Sequence, residues 1–360
     1  MLPRAERLAP YLKSIDSARI YSNFGPMVRA FEARLADRCG LPDGTVTSVA
    51  NATLGLALAL DVHDPLPGAL CVMPAWTFVA SPHAATMAGL VPWFVDADPV
   101  TWALDPEAIE VLIEPMIPKI GAVMPVAPFG RPIDVRAWER FRARTGVPVV
   151  IDAAAGFDSI VPGSVPAVVS LHATKVLGVG EGGFIVSDDA ALIRRIRTRS
   201  NFGFSGSREA VVSATNAKMS EFHAAIGLAA LDEWVLARGE WMAAATAYRD
   251  AAADLEEIEF QAGFGQSWIT STCVVRIAGS GALGVSAALA RAGIETRRWW
   301  GDGAHAHQAT HDFPRTALPA TEALARSTIA LPFFRDIEAG AIDRVLACVR
   351  EASRTVVTTD

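Results

Sequence analysis

Through the first two thirds of this chain, short apolar runs alternate with amphipathic stretches, and that rhythm limits the possible folds sharply. ALCVM at 69–73 reads as a strand, and SPHAATMAG at 81–89 reads as the helix that follows it. VPWFVDAD (91–98) is the next strand, DPEAIEVLI (105–113) a helix, and GAVMPVAP (121–128) a strand again. DVRAWERFRART (134–145) then reads as a helix and VPVVIDAAA (147–155) as a strand. Two more strands, VVSLHA (168–173) and GFIVSDD (183–189), are separated by a glycine-rich turn. Such β-α-β-α alternation predicts a mainly parallel sheet covered by helices on both faces. From about Ser220 the pattern changes to one long or lightly broken helical tract. Shorter elements follow at 271–279, 281–293 and 342–353. The chain is therefore expected to divide near residue 225, into a large α/β domain (1–225) and a smaller α+β domain (226–360), with the N-terminal segment free to pack on the latter.

Several function classes are excluded early. Residues 65–95 carry no Asp, Glu, Lys or Arg, but Pro67, Pro74, Pro82 and Pro92 break the run. A membrane span needs about 20 uninterrupted apolar residues, so none is expected. With 39 acidic and 32 basic residues the formal charge is −7, against the basic face that nucleic-acid binding requires. Cys39, Cys71, Cys273 and Cys348 are scattered, so neither a zinc site nor a disulfide framework is indicated. No signal peptide is read at the N-terminus, and a soluble, cytoplasmic setting is expected.

The chemistry concentrates in SLHATKVLGVGEGG, at 170–183. Gly178-x-Gly180-x-x-Gly183 matches a dinucleotide fingerprint literally, but such a site needs glycines that lead into a helix, and these lead into the strand FIVS. What remains is Lys175, one of only four lysines, just after a buried strand and close to Ser170, His172 and Thr174. A lysine at a strand end is more often simply solvated. Asp152 closes an apolar strand, where open α/β sheets bind ligands, although an Asp there also serves as a turn residue. Asn51, Ala52 and Thr53 begin an apolar helix whose free N–H groups suit a phosphate, or whose Asn or Thr only caps it. Taken together these parts meet the needs of pyridoxal phosphate: a primary amine for its aldehyde, a carboxylate for its ring nitrogen, and a helix start for its phosphate. Lys175, Asp152 and Thr53 would fill those roles.

At this point the sequence resembles the DegT/DnrJ/EryC1/StrS group of sugar aminotransferases. MPAWTFVAS, VPWFVDADPVTWALDP, PFGRPID, VIDAAAGF, ATKVLGVGEGG and NAKMSEFHAAIGLAAL occur in that family's order and approximate spacing. The resemblance implies a three-layer fold-type I pyridoxal phosphate-dependent transferase. By it, Lys175 is the Schiff-base lysine and proton shuttle, and Asp152 pairs with the pyridinium nitrogen. Trp76 stacks on the cofactor ring, Ala52, Thr53 and Ser170 bind the phosphate, and Asn216 reaches the phosphate from the second subunit of a homodimer. The implied reaction converts a nucleotide-linked keto sugar, with a 4-keto-6-deoxyhexose expected, to an amino sugar, with L-glutamate as donor. Alternatives on the same scaffold are a keto-cyclitol aminotransferase or an amination–dehydration enzyme. A pyridoxal phosphate-binding regulator is the alternative of another class.

Three departures bear on subclass: Ala155 where many members carry a polar residue, Ala52 for the usual Gly, and Lys218 for a common Arg. Two further features have plain readings beside functional ones. His305, His307 and His311 form a histidine-rich loop, for which no metal is expected. The run Arg297-Arg298-Trp299-Trp300 either faces a nucleotide or packs as an ordinary tryptophan pair with solvated arginines.

Overall fold

The computed structural model describes residues 2–278 and 281–357, and the side chains up to residue 353. In chain order the first elements are α1 (Ala5–Ala18), α2 (Pro26–Arg38), β1 (Val46–Val49), α3 (Ala52–Asp61), β2 (Leu70–Pro74), α4 (Ala80–Met87) and β3 (Val91–Val95). Then come α5 (Pro106–Ile113), β4 (Ile120–Val123), α6 (Val135–Thr145), β5 (Ile151–Asp152), β6 (Ala167–Ser170), β7 (Gly183–Val186) and α7 (Ala190–Ser200). The rest comprises α8 (Glu221–Asp232), α9 (Trp234–Ala251), β8 (Ile258–Phe260), β9 (Cys273–Ile277), α10 (Ala282–Arg291), α11 (Pro319–Ser327), β10 (Thr328–Leu331) and α12 (Ala339–Val357).

β3, β2 and β4 pair in parallel, and bridges at Val123–Val149 and Val126–Asp152 carry that pairing across to β5. β6, β7 and β1 continue the sheet, so the spatial order is β3-β2-β4-β5-β6-β7-β1. Only β7 runs against its neighbours. Parallel strands need a long crossover, usually a helix, and the stretch between β6 and β7 contains none, so the chain returns antiparallel. The expected strand at 147–155 shrinks to Ile151 and Asp152 in regular pairing. Pro125 and Pro148 each remove a ladder donor there, which leaves isolated bridges instead.

Side chains alternate between two cores, as a sheet covered on both faces requires. Val72, Val95, Val123, Ile151, Val169 and Phe184 pack with α2, α5, α6 and α8 on one face. Cys71, Met73, Phe94, Met124, Val168 and Ile185 pack with α3, α4 and α7 on the other. The antiparallel sheet β10-β9-β8 forms a separate core with α10, α12 and the second half of α9. The helical tract after Ser220 is broken once, at Glu233, between α8 and α9. Of the run read as a strand at 271–279, Gly279 lies outside the described residues. Among the described residues no helix is long and apolar enough to cross a membrane.

Candidate active site

The carboxyl ends of β2, β5 and β6 and the start of α3 face one another, because parallel strands all deliver their C-termini to the same edge. Asp152 ends β5 with only 5% of its surface exposed. Ser81 of α4 donates its hydroxyl to Asp152 Oδ2 at 2.8 Å, and the Ala154 N–H donates to Oδ1 at 3.1 Å. Thr77 completes a short relay, its hydroxyl 2.7 Å from that of Ser81. Burial pushes the Asp152 carboxyl above its ordinary value, while these hydrogen bonds and the charge of Lys175 pull it back. Sequence reasoning did not include Ser81 or Thr77. The available signal was the pair of hydroxyls four residues apart at the entrance to α4, which the turn closed by the Ser81 N–H donating to the Phe78 carbonyl brings together.

Lys175 lies in the loop between β6 and β7, tied down by its own N–H donating to the His172 carbonyl at 2.9 Å. Glycine is required around it. A Cβ on Gly178 would lie 2.9 Å from the Ala173 carbonyl oxygen, and one on Gly183 would lie 2.9 Å from the Ala52 nitrogen. The glycines therefore close a turn between strands and let β7 approach the start of α3; they do not open a nucleotide-binding helix. Burial holds the Lys175 amine below the usual lysine range, opposed by the negative charge of Asp152. Among the described residues that amine has no hydrogen-bond or ion-pair partner. It is a primary amine held ready, within electrostatic reach of a buried carboxylate.

The start of α3 supplies the third part. Asn51 is the cap, its side chain accepting from the Leu54 N–H at 2.9 Å. Ala52 and Thr53 occupy the first helical positions, whose N–H groups have no intrahelical acceptor and so suit an anion. Ser170 is buried at the end of β6, where its hydroxyl oxygen accepts from the His172 N–H at 3.3 Å. Asn216 is exposed. It does not cap α8, because Ser220 holds that position by accepting from the His223 N–H. Its neighbour Ala217 accepts from the Ala50 N–H at 2.7 Å, so the Asn216 loop runs beside the start of α3 in the same chain.

Trp76 is 2% exposed and lies in an aromatic cluster, edge-on to Phe129 and to Trp300 at 6.3 and 5.4 Å between ring centroids. Phe78, in the same turn as Thr77 and Ser81, leaves 53% of its surface open. The departures sort themselves differently. Ala155 is half-buried, and its carbonyl oxygen would be 2.6 Å from a Cβ on Gly130, so the backbones of the two turns touch. The Lys218 amine is buried without a hydrogen-bond partner, 4.3 Å over the Phe202 ring, and burial lowers its pKa. The Arg297–Trp300 run splits: Trp300 stacks on Phe129 at 3.9 Å and Arg298 pairs with Asp302, whereas Arg297 lies over Trp299 beside a cavity of about 460 Å³. Among the described residues no three His, Cys, Asp or Glu side chains are grouped to hold a metal ion.

This donor set fits pyridoxal phosphate: a partner-free amine, a buried carboxylate with oriented donors, and a helix start kept open by Gly183. Comparisons with known proteins agree. Residues 4–350 match the DegT/DnrJ/EryC1/StrS aminotransferase family. Protein Rv3402c of Mycobacterium tuberculosis is 32% identical over 97% of this chain and 88% of its own length. The dTDP-4-amino-4,6-dideoxy-D-glucose transaminase of Shigella dysenteriae is 33% identical over 74% of this chain and 72% of its own. A crystal structure of DesI in the presence of its TDP-sugar product matches with a TM-score of 0.86 and 33% identity, covering 99% of this chain and 94% of that one.

Proposed function

The chain belongs to the DegT/DnrJ/EryC1/StrS family of pyridoxal phosphate-dependent aminotransferases, with their fold-type I architecture, and from that premise we propose that it aminates a nucleotide-linked keto sugar. A 4-keto-6-deoxyhexose is the expected sugar and L-glutamate the donor. The Shigella transaminase and DesI, the one named for a dTDP-linked aminodideoxyhexose and the other crystallised with a TDP-sugar, support that substrate class. The site assignments rest on one observation: the amine of Lys175 is free and partly desolvated while the carboxylate of Asp152 is buried and oriented by Ser81.

When bound, pyridoxal phosphate supplies an aldehyde for imine formation and a ring that spreads negative charge from the adjacent carbon. Lys175 would hold that aldehyde until the donor's own amine displaces it, and its freed Nζ, kept below the ordinary lysine range by burial, would then take up and return the proton at the reacting carbon. Asp152 holds a proton on the ring nitrogen, with Ser81 and the Ala154 N–H fixing its two oxygens. Ala52, Thr53 and Ser170 bind the phosphate. Trp76 is the expected ring-stacking residue, although Phe78 has the larger open aromatic surface. Asn216, exposed on its own chain, reaches the phosphate of a second copy in a homodimer. Residues 1–225 form the cofactor-binding domain in this reading, and 226–360 the smaller domain.

The test supplies ¹⁵N-labelled L-glutamate with a panel of nucleotide-linked keto sugars to the cofactor-loaded enzyme and follows products by mass spectrometry. Labelled amino sugar, absent with Lys175→Ala, is expected. Transfer to keto-cyclitols alone, or no transfer to any acceptor, would overturn the substrate reading.

A further inference from the structure

Glu221, at the first position of α8, is completely buried, yet nothing in the chemistry above uses it. Its carboxylate accepts from the Met27 N–H at 2.7 Å and the Val28 N–H at 3.1 Å. These are first-turn donors of α2, whose own N-cap is Gly25 and offers no side chain. The cap therefore comes from 194 residues away, and an anion at a helix N-terminus is favoured by the helix dipole as well as by the two hydrogen bonds. Gly25 is needed for the approach, since a Cβ there would lie 2.6 Å from Glu221 Cδ. The backbone just before it is strained. Asn23 and Phe24 both adopt left-handed conformations, with φ of 63° and 57°, which non-glycine residues hold only when their surroundings over-determine them. The Glu221 N–H donates to the Tyr21 carbonyl at 3.1 Å and so fixes the other end of that turn.

The loop leading into α8 and the helix's first turn support the cofactor cradle. Ala217 accepts from Ala50, one residue before the Asn51 cap. The Met219 methyl would be 2.8 Å from a Cβ on Gly182, and the His223 ring 3.7 Å from one on Gly180. Segment 217–223 is thus packed against both the start of α3 and the glycine loop that follows Lys175. We infer that Glu221 is a positioning residue: by fastening the strained turn and α2 to the start of α8, it holds the phosphate-facing end of α3 and the Lys175 loop in register. This rests on the cofactor reading above. A functional site held by a rigid supporting contact loosens when that contact is removed, whereas a cap that only stabilises α2 leaves the cradle unchanged.

The experiment compares wild type, Glu221→Gln and, as a control destabilised elsewhere, Leu346→Ala in the core of the C-terminal sheet. Pyridoxal phosphate is removed by dialysis and returned in an absorbance titration, and amide hydrogen exchange is followed in peptides covering 26–28 and 178–183. Glu221→Gln should raise the dissociation constant more than about threefold and speed exchange in 178–183, while Leu346→Ala changes neither. A dissociation constant within about threefold of wild type, with faster exchange confined to 26–28, would reduce Glu221 to a plain cap. Equal weakening by Leu346→Ala would also overturn the inference. Should Glu221→Gln fail to fold, Gly25→Ala displaces the carboxylate without deleting it, and the same two readouts decide. A wild type that does not bind the cofactor would sink the reading above together with this one; binding by wild type and no effect of Glu221→Gln sinks only this one.

Discussion

Removing the Ser81 hydroxyl isolates what holds Asp152 in its charged state. Ser81 donates to the buried carboxylate at 2.8 Å and is itself 2.7 Å from the Thr77 hydroxyl. A hydrogen bond to a charged group contributes about 1.5–3 kcal/mol, against about 1 kcal/mol for a neutral pair. Because the hydrogen bond is stronger to the charged carboxylate than to the neutral acid, its loss raises the Asp152 pKa. The sign follows from linkage. Burial already raises the Asp152 pKa above its unfolded value, so the stability linked to this group is present in acid and lost as pH rises through the folded pKa. Ser81→Ala raises that pKa further and therefore costs more stability as the pH climbs. The assay is a double-mutant cycle on the cofactor-free protein, with Ser81→Ala, Asp152→Ala and the pair, from urea midpoints at one fixed protein concentration. The coupling should be about 1.5–3 kcal/mol at pH 8 and shrink towards about 1 kcal/mol in acid. A coupling below about 0.5 kcal/mol, or one that is the same at every pH, would refute the reasoning.

The lowered pKa of Lys175 predicts that the rate of pyridoxal phosphate capture rises with pH to a plateau, because only the neutral amine attacks the aldehyde. The midpoint should fall below the ordinary lysine value of 10.5; a midpoint at or above it would mean that the amine is solvated. For shared sites, mixing inactive Lys175→Ala with inactive Asn216→Asp should restore up to half of one dimer's activity, since one pocket of the mixed dimer then carries neither change. No rescue, with subunit exchange demonstrated independently, would place Asn216 outside the partner's site.

The large sheet was legible because its strands, buried on both faces, appear as short apolar runs between amphipathic helices, and the ends of those runs carry Asp152, Ser170 and Lys175. Local chemistry was legible where it was self-contained: the glycines at 178–183 turn between strands as expected, and of the two caps left open for α3 it is Asn51 that serves. What escaped depended on partners distant in sequence. Ser81 meets Asp152 across 71 residues, and Glu221 meets Met27 across 194, so neither pairing leaves a local pattern. The truncation of β5 depended on Pro125 and Pro148 acting on the same ladder from two elements. The burial of Trp76 is likewise decided by Phe129 and Trp300, far along the chain.

The assignment of the catalytic lysine is tested most directly by chemical trapping. Of the four lysines, Lys175 is the one placed with a partner-free, desolvated amine near Asp152. Borohydride reduction of the cofactor-loaded enzyme, followed by peptide mapping, should place the reduced pyridoxyl group on Lys175 alone and abolish labelling in Lys175→Ala. Label on Lys13, Lys119 or Lys218, or no label on a protein saturated with pyridoxal phosphate, would contradict it.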